Sequence, residues 1–225
     1  NVADLSSREF SETWPSSRTN HYWMDCNRDW LMCQHPEGQT AVKMYLDWMP
    51  NVVGDLHEQG GDSKGFYFSP GHPHRTHPLT PQQNQQLTSA ITNSTAYALD
   101  DIGTLYYSKE GYDDFYVGKG AAYPDMQGSI GILYEQVASR GYIRPTSTGL
   151  MPFYQTVRNQ AYAAISTVYA SYLMKNELLD YQRNFFQNSA KQAAKDAVKG
   201  YVFNSQGRKG IEYYFLRNMK HHDIE

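Results

Sequence analysis

The stretch Arg18-Thr-Asn-His-Tyr-Trp-Met-Asp-Cys-Asn-Arg-Asp-Trp30 sets arginine, asparagine and aspartate side chains around one short hydrophobic run. Tyr22-Trp-Met24 reads as a strand that carries Asp25, Asn27 and Arg28 out at its end. An arginine presents a planar fork of donors that matches a carboxylate. Two such forks, from Arg18 and Arg28, together with an asparagine amide, would make a pocket for a carboxylate or another anion. The plain alternative is a strand end dressed with surface ion pairs.

Composition narrows what surrounds this stretch. The chain has 225 residues, 40% of them hydrophobic, which is enough for one full core or for one domain and a fragment. Nineteen tyrosines, nine phenylalanines and four tryptophans suit a packed core and a groove for an organic substrate. The formal net charge is −3 and no basic block is present, so nucleic acid is not an expected partner. No apolar run approaches the ~20 residues of a membrane span. Asn1 is not an initiator methionine, and the chain reads as cut from something longer. Cys26 and Cys33 do not form a disulfide framework. Cys26 is expected to face the core as a free thiol, and its pairing with Cys33 is not indicated.

Strand and helix signals alternate along the chain. Residues 1–17, with Trp14-Pro15, read as a polar loop leading into the strand at 21–27. His35-Pro36-Glu37 starts a helix whose Val42, Tyr45, Leu46 and Met49 share one face. Val52–His57 is expected as a short buried strand, followed by a turn at Glu58-Gln59-Gly60-Gly61. Thr80 and Pro81 mark the start of a glutamine-rich helix to about Ile102, with Leu87, Ile91, Ala98 and Leu99 inward. Leu105-Tyr106-Tyr107 is a brief strand. A long loop with five glycines or prolines covers 108–128, and ordered loops of that length are often functional. Ser129–Val137 is a strand, and two long helices follow at roughly 152–174 and 176–197. Lys199–Phe203 reads as a strand and Gly210–His222 as a helix. The class is α/β. A boundary falls near 197, with residues 198–225 as the start of a further module or a C-terminal extension.

Two side chains stand out in these strands. His57 closes Asp55-Leu56-His57-Glu58, and strand ends are where α/β sheets place ligands. A neutral imidazole there is a good zinc ligand, or else a hydrogen-bonded histidine at a sheet edge. Glu135 sits in the otherwise apolar run Ile130-Gly-Ile-Leu-Tyr-Glu-Gln-Val. A carboxylate in such a run needs a partner or a function, unless period-two alternation turns it outward.

The separated motifs Arg18-Thr19-Asn20, Asp25-Cys26-Asn27-Arg28-Asp29-Trp30, His57 and Glu135, in that order, resemble the zinc metallocarboxypeptidases of the carboxypeptidase A, B, D and E kind. The resemblance covers roughly residues 15–190. It implies a mixed, twisted sheet with helices on both faces, of which this chain (residues 1–197) supplies the later part. It also implies roles. His57 would be a zinc ligand and Glu135 the general base. Arg18 would stabilise the oxyanion, and Asn27 with Arg28 would dock the substrate carboxylate. Asp25 would orient another zinc-binding histidine. Of Tyr106, Tyr107 and Tyr112, the count back from Asp114-Phe115 selects Tyr106 as the mobile tyrosine that closes on the carboxylate. Asp113 would sit at the base of the side-chain pocket.

One part of the family's pattern is missing. The resemblance calls for His-x-x-Glu before Arg18, and none is there; His222-Asp-Ile-Glu225 stands at the wrong end. Two further zinc ligands are therefore expected upstream, and this chain alone is expected to be inactive. The parent would act on a peptide or peptide-like substrate and, as members of this family often are, be periplasmic or secreted. Two rivals are an amidase or deacylase of the same fold and a non-catalytic binding domain that has lost its metal. The His72, His74, His77 cluster reads as a proline-laced surface loop, and Gly118-Lys-Gly120 lacks the context of a phosphate loop.

Overall fold

The computed structural model describes residues 18–62, 65–139 and 141–224. Helix α1 spans Pro36–Trp48. Pro36 stands in its first turn, where a backbone N–H has no helical partner to lose. Strand β1 covers Val52–Gln59 and the short β2 covers Phe66–Phe68. Helix α2 runs over Gln82–Asp101 and leads to the two-residue β3, Tyr106–Tyr107. Strand β4 spans Ile130–Val137. A hairpin of β5 (Ile143–Thr146) and β6 (Gly149–Pro152) feeds α3 (Phe153–Leu173). After Met174 comes α4 (Lys175–Lys195), and α5 (Lys209–His221) closes the chain.

The main sheet has the order β1-β4-β2-β3. It is mixed: β1 runs parallel to β4, β2 runs antiparallel to β4, and β3 runs parallel to β2. Successive residues of a strand face opposite sides, and β4 sorts its side chains accordingly. Ile130, Ile132 and Tyr134 join Phe66 and Phe68 under α2, α3 and α4. Leu133 packs on the other face with Tyr67 and Ala121. Burying Ile130 and Ile132 completely contributes roughly 1.5–3 kcal/mol each. A third cluster seats Val42 and Tyr45 of α1 against Cys33 and Tyr123, so helices cover both faces. Gly131 is the point of closest approach: a Cβ there would lie 1.8 Å from the Ala121 carbonyl oxygen.

Helix α3 meets the sheet through small and polar side chains. Ala163, Ala170, Thr156, Asn159, Ser166 and Thr167 are buried, while Tyr154, Tyr162, Tyr169 and Tyr172 are exposed. The buried polar groups are paired, as burial requires: Asn159 Nδ2 donates to Gln136 Oε1 at 2.8 Å, and Thr95 and Ser166 share a bond at 3.0 Å.

Several expectations are corrected. Residues 21–27 are not a strand. Asn20 Oδ1 accepts from the backbone N–H groups of Tyr22 and Met24 at 3.0 and 3.1 Å, and Trp23 takes a positive φ of 64°. The chain turns back there through an isolated Thr19–Asp25 bridge into a 3-10 turn over Cys26–Arg28. Cys26 is half-buried in that turn, not a core residue, and both cysteines are free. Strand β1 is an edge strand with an alternating, half-buried pattern, and it continues through Gln59. Helix α2 begins one residue late, with Pro81 as its N-cap. Lys199–Phe203 forms no strand, and its Tyr201 and Val202 are fully or almost fully exposed. The β5–β6 hairpin was not anticipated. The polar stretch 1–17 lies outside the described residues. No described helix is long and apolar enough to cross a membrane.

Candidate functional site

Strands β1 and β4 are in parallel register, and their pairing sets His57 opposite Glu135 and Asp55 opposite Leu133. Asp55, His57 and Glu135 therefore point to the face that carries Tyr67 and Leu133, away from α2 and α3. The 3-10 turn brings Asn27 onto this face. Gly120 N–H donates to Asn27 Oδ1 at 2.7 Å, which fixes the amide with its nitrogen toward β1. Asn27 Nδ2 then donates to Asp55 Oδ2 at 3.1 Å and lies 2.8 Å from His57 Nε2.

The tautomer of His57 follows from its neighbours. Asp55 Oδ1 lies 2.5 Å from His57 Nε2, and a carboxylate can only accept, so this shorter contact places the hydrogen on Nε2 and leaves the Asn27 Nδ2 approach as a contact between two donors, not a hydrogen bond. This leaves the lone pair on Nδ1, the ring atom that could ligate a metal. Metal-bound histidines usually donate their other N–H to a carboxylate or a carbonyl in this way. The hydrogen bond to Asp55 raises the His57 pKa; burial opposes it, and the charges of Asp55 and Glu135 add to it. Burial raises the Glu135 pKa and the Asp55 charge adds to that, against His57, Arg18 and Arg28. Glu135 Oε2 is buried without a hydrogen-bond partner among the described residues. A buried carboxylate oxygen left open in this way calls for an explanation such as a missing ion or a reacting group.

An aromatic wall borders Glu135. Tyr67, its antiparallel register partner, stacks on Tyr112 at 4.3 Å and on Tyr107 at 5.3 Å between ring centroids. The hydroxyls of Tyr107 and Tyr112 both donate to Gln59 Oε1, at 2.7 and 3.0 Å. Gln59 Nε2 donates to the Glu135 carbonyl at 2.8 Å. Tyr106 lies away from this face. As the strand neighbour of Tyr107 it faces the helices, packs on Phe68 and donates to Asp100 at 3.2 Å. Tyr107 and Tyr112 hold the site face instead.

The remaining candidates have partners of their own. Arg18 pairs with Asp25 at 2.7 and 2.9 Å, with its side chain half exposed. Asp25 also accepts from Asn27 N–H at 3.0 Å, and among the described residues it meets Arg18 and this backbone, not a histidine. Arg28 is exposed, and its Nη1 donates to the Asn27 carbonyl at 2.8 Å. Asp113 pairs with Lys119 at 3.0 Å and accepts from Phe115 N–H. Burial pushes its pKa up, but Lys119 and these backbone donors hold it below the usual range.

Among the described residues, no group of three or more His, Cys, Asp and Glu side chains could hold a metal ion. The described residues thus fit one ligand, His57, with its orienting acid and a base beside it. Sequence reading missed Asp55 as that acid, although its place two residues before His57 puts both on one face of a strand. Gln59 and Gly120 carried no signal. An apolar groove of about 520 Å³ between β1, α3 and α4 is lined by Val52, Leu56 and Tyr134. It opens on the other face and does not include His57 or Glu135.

The fold has known counterparts. It is similar to a metallo-carboxypeptidase from Burkholderia cenocepacia, with a TM-score of 0.52 and 14% identity over 70% of this chain and 40% of that one. A weaker similarity, TM-score 0.42 and 14% identity, relates 64% of the chain to 36% of thrombin activatable fibrinolysis inhibitor (TAFI). The chain thus spans less than half the length of either structure. No family model matches the sequence, and no curated protein matches it. The fold is that of the metallo-carboxypeptidases, in part, as the sequence motifs imply.

Proposed function

We propose that this chain is part of a zinc-dependent metallocarboxypeptidase that hydrolyses a peptide or amide bond next to a free C-terminal carboxylate. The observation that carries the reading is the pairing of His57 and Glu135 on adjacent parallel strands, with Asp55 on Nε2 and a buried, open oxygen on Glu135. Zinc, when bound, would polarise the scissile carbonyl and acidify water. His57 would hold it together with two ligands from outside the described residues. Strand β1 has no neighbour on its outer edge among the described residues, so that edge is open to a further strand beside His57.

The chain's own groups do the rest. Glu135, its pKa raised by burial, is suited to take a proton from the attacking water near neutral pH. As the C–O bond forms and the C–N bond breaks, it returns that proton to the leaving amine. Arg18, released from Asp25, stabilises the oxyanion. Arg28 and Asn27 dock the carboxylate.

The test is hydrolysis of N-acylated dipeptides by this 225-residue chain and by a version extended upstream. The reading expects none from the short chain. From the longer one it expects chelator-sensitive activity that falls by about 10²–10⁴ in Glu135→Gln, the usual contribution of a general base. Robust chelator-sensitive activity from the short chain would contradict it. A second reading, a binding domain on a retired peptidase fold, is favoured by one observation: Arg18 is engaged by Asp25 and the Asn27 amide by Asp55 and Gly120. Carboxylate binding without zinc in either version would support that reading.

A further inference from the structure

His222 belongs to the His-x-x-Glu sequence at the chain's end, and both of its ring nitrogens meet protein groups. It closes α5 and is 8% exposed. Its Nε2 lies 2.8 Å from the Leu31 carbonyl and its Nδ1 lies 2.8 Å from the Tyr123 hydroxyl. A carbonyl only accepts, so Nε2 carries the hydrogen. Nδ1 then accepts from Tyr123, whose hydroxyl burial keeps protonated. Asn218 of the same helix donates to the same Leu31 carbonyl at 3.2 Å. The Cys33 thiol lies 3.8 Å from Nε2 and donates to the Trp30 carbonyl.

The two groups that His222 joins belong to the two segments that hold Asn27. Leu31 lies on the loop that leaves the 3-10 turn of Asn27 and Arg28. Tyr123 ends the turn that begins at Lys119, through its N–H to the Lys119 carbonyl at 2.9 Å, and that turn supplies the Gly120 N–H to Asn27 Oδ1. The two segments meet elsewhere at Trp30 N–H on the Gly118 carbonyl, 3.1 Å, and at Tyr116 O–H on the Arg28 carbonyl, 3.0 Å. Tyr123 also packs on Trp30.

We propose that His222 is a positioning residue: through Leu31 and Tyr123 it clasps the loop of Arg28 to the turn of Gly120, and so fixes Asn27 against His57 and, with it, Arg28 on the Asn27 carbonyl. The α5 tail is thereby a working part of the carboxylate pocket. The functional half of this statement rests on the carboxylate-docking role proposed above; the clasp itself does not.

The experiment compares the 225-residue chain with His222→Ala, His222→Gln and Tyr123→Phe. It reads amide hydrogen exchange and the affinity for an N-acetylated dipeptide with a free carboxylate. Expected for His222→Ala is exchange more than tenfold faster at Gly120, Trp30 and Cys33, with the 130–134 amides unchanged, and several-fold weaker dipeptide binding. His222→Gln keeps a donor for Leu31 and an acceptor for Tyr123, so it should restore most of both. Tyr123→Phe, which removes a single hydroxyl, should loosen Gly120 alone if His222→Ala does not fold. Unchanged exchange at Gly120 in a folded His222→Ala would overturn the clasp. So would a uniform loss of protection across β4 that glutamine does not rescue. Local loosening with no dipeptide binding even by the unaltered chain would uphold the clasp and remove the carboxylate reading instead.

Discussion

The two faces of β4 are built by different physics. Toward α2 and α3 the strand buries Ile130, Ile132 and Tyr134 completely, and shape decides what fits. Toward Asn27 it presents Glu135 to a neighbourhood held by hydrogen bonds: Asp55 on His57, Asn27 on Asp55, Gly120 on Asn27. The packed face can be lost only with the fold. The polar face can be dismantled one contact at a time, and that independence lets a half-buried carboxylate sit beside a core.

The largest expected effect lies where the two faces share one backbone. Gly131→Ala sets its new methyl on the Ala121 carbonyl, which backbone alone can relieve, and should cost at least about 3 kcal/mol, the upper end of overpacking. Urea unfolding would show little folded protein. Next comes the packed face. Ile132→Ala should lower stability by about 2–5 kcal/mol, seen as a lower urea midpoint with an unchanged slope. A loss under about 1 kcal/mol would mean that this face is looser than its burial indicates.

Asp125 sharpens the contrast, because it is a polar group in the packed interior. It is 1% exposed and accepts from Asn84 Nδ2 and Gly131 N–H, each at 2.8 Å. Burial, with the Asp114 charge next, raises its pKa well above the ordinary value. A folded pKa raised above the unfolded value stabilises most below the unfolded pKa of about 4. That contribution is lost as pH rises through the folded value. The contribution of Asp125 should therefore shrink as pH rises above about 4. Asp125→Asn, which keeps the acceptor for Asn84 and Gly131, should flatten that slope in thermal melts. The smallest effect on folding belongs to the exposed Arg18–Asp25 pair: Arg18→Ala should change stability by at most about 1 kcal/mol while removing the oxyanion donor proposed above.

The packed face was largely legible in the sequence. The apolar run of β4, the helical spacing of Val42 and Tyr45, and the periodicity of α2 each follow from burial of one side of a regular element. Glu135 stood out because it interrupts such a run, and its register with His57 required the sheet. The loop at 18–28 was misread because its order comes from side chains bonding to backbone, through Asn20 and Asp25, and such bonds leave no period. Counting along the chain points to Tyr106, whereas the two-residue strand turns Tyr107 to the face of His57 and Glu135. Hairpin β5–β6 escaped because its strands alternate weakly, and the partners of His222 lie about 100 and 190 residues away in sequence.

The central claim is that His57 and Glu135 are half of a zinc peptidase site. Its most direct test is a calorimetric zinc titration of this chain beside a version extended upstream. The account predicts weak binding in the short chain, reduced further by His57→Ala, and tight one-to-one binding in the longer one. Absence of tight zinc binding in both would contradict it.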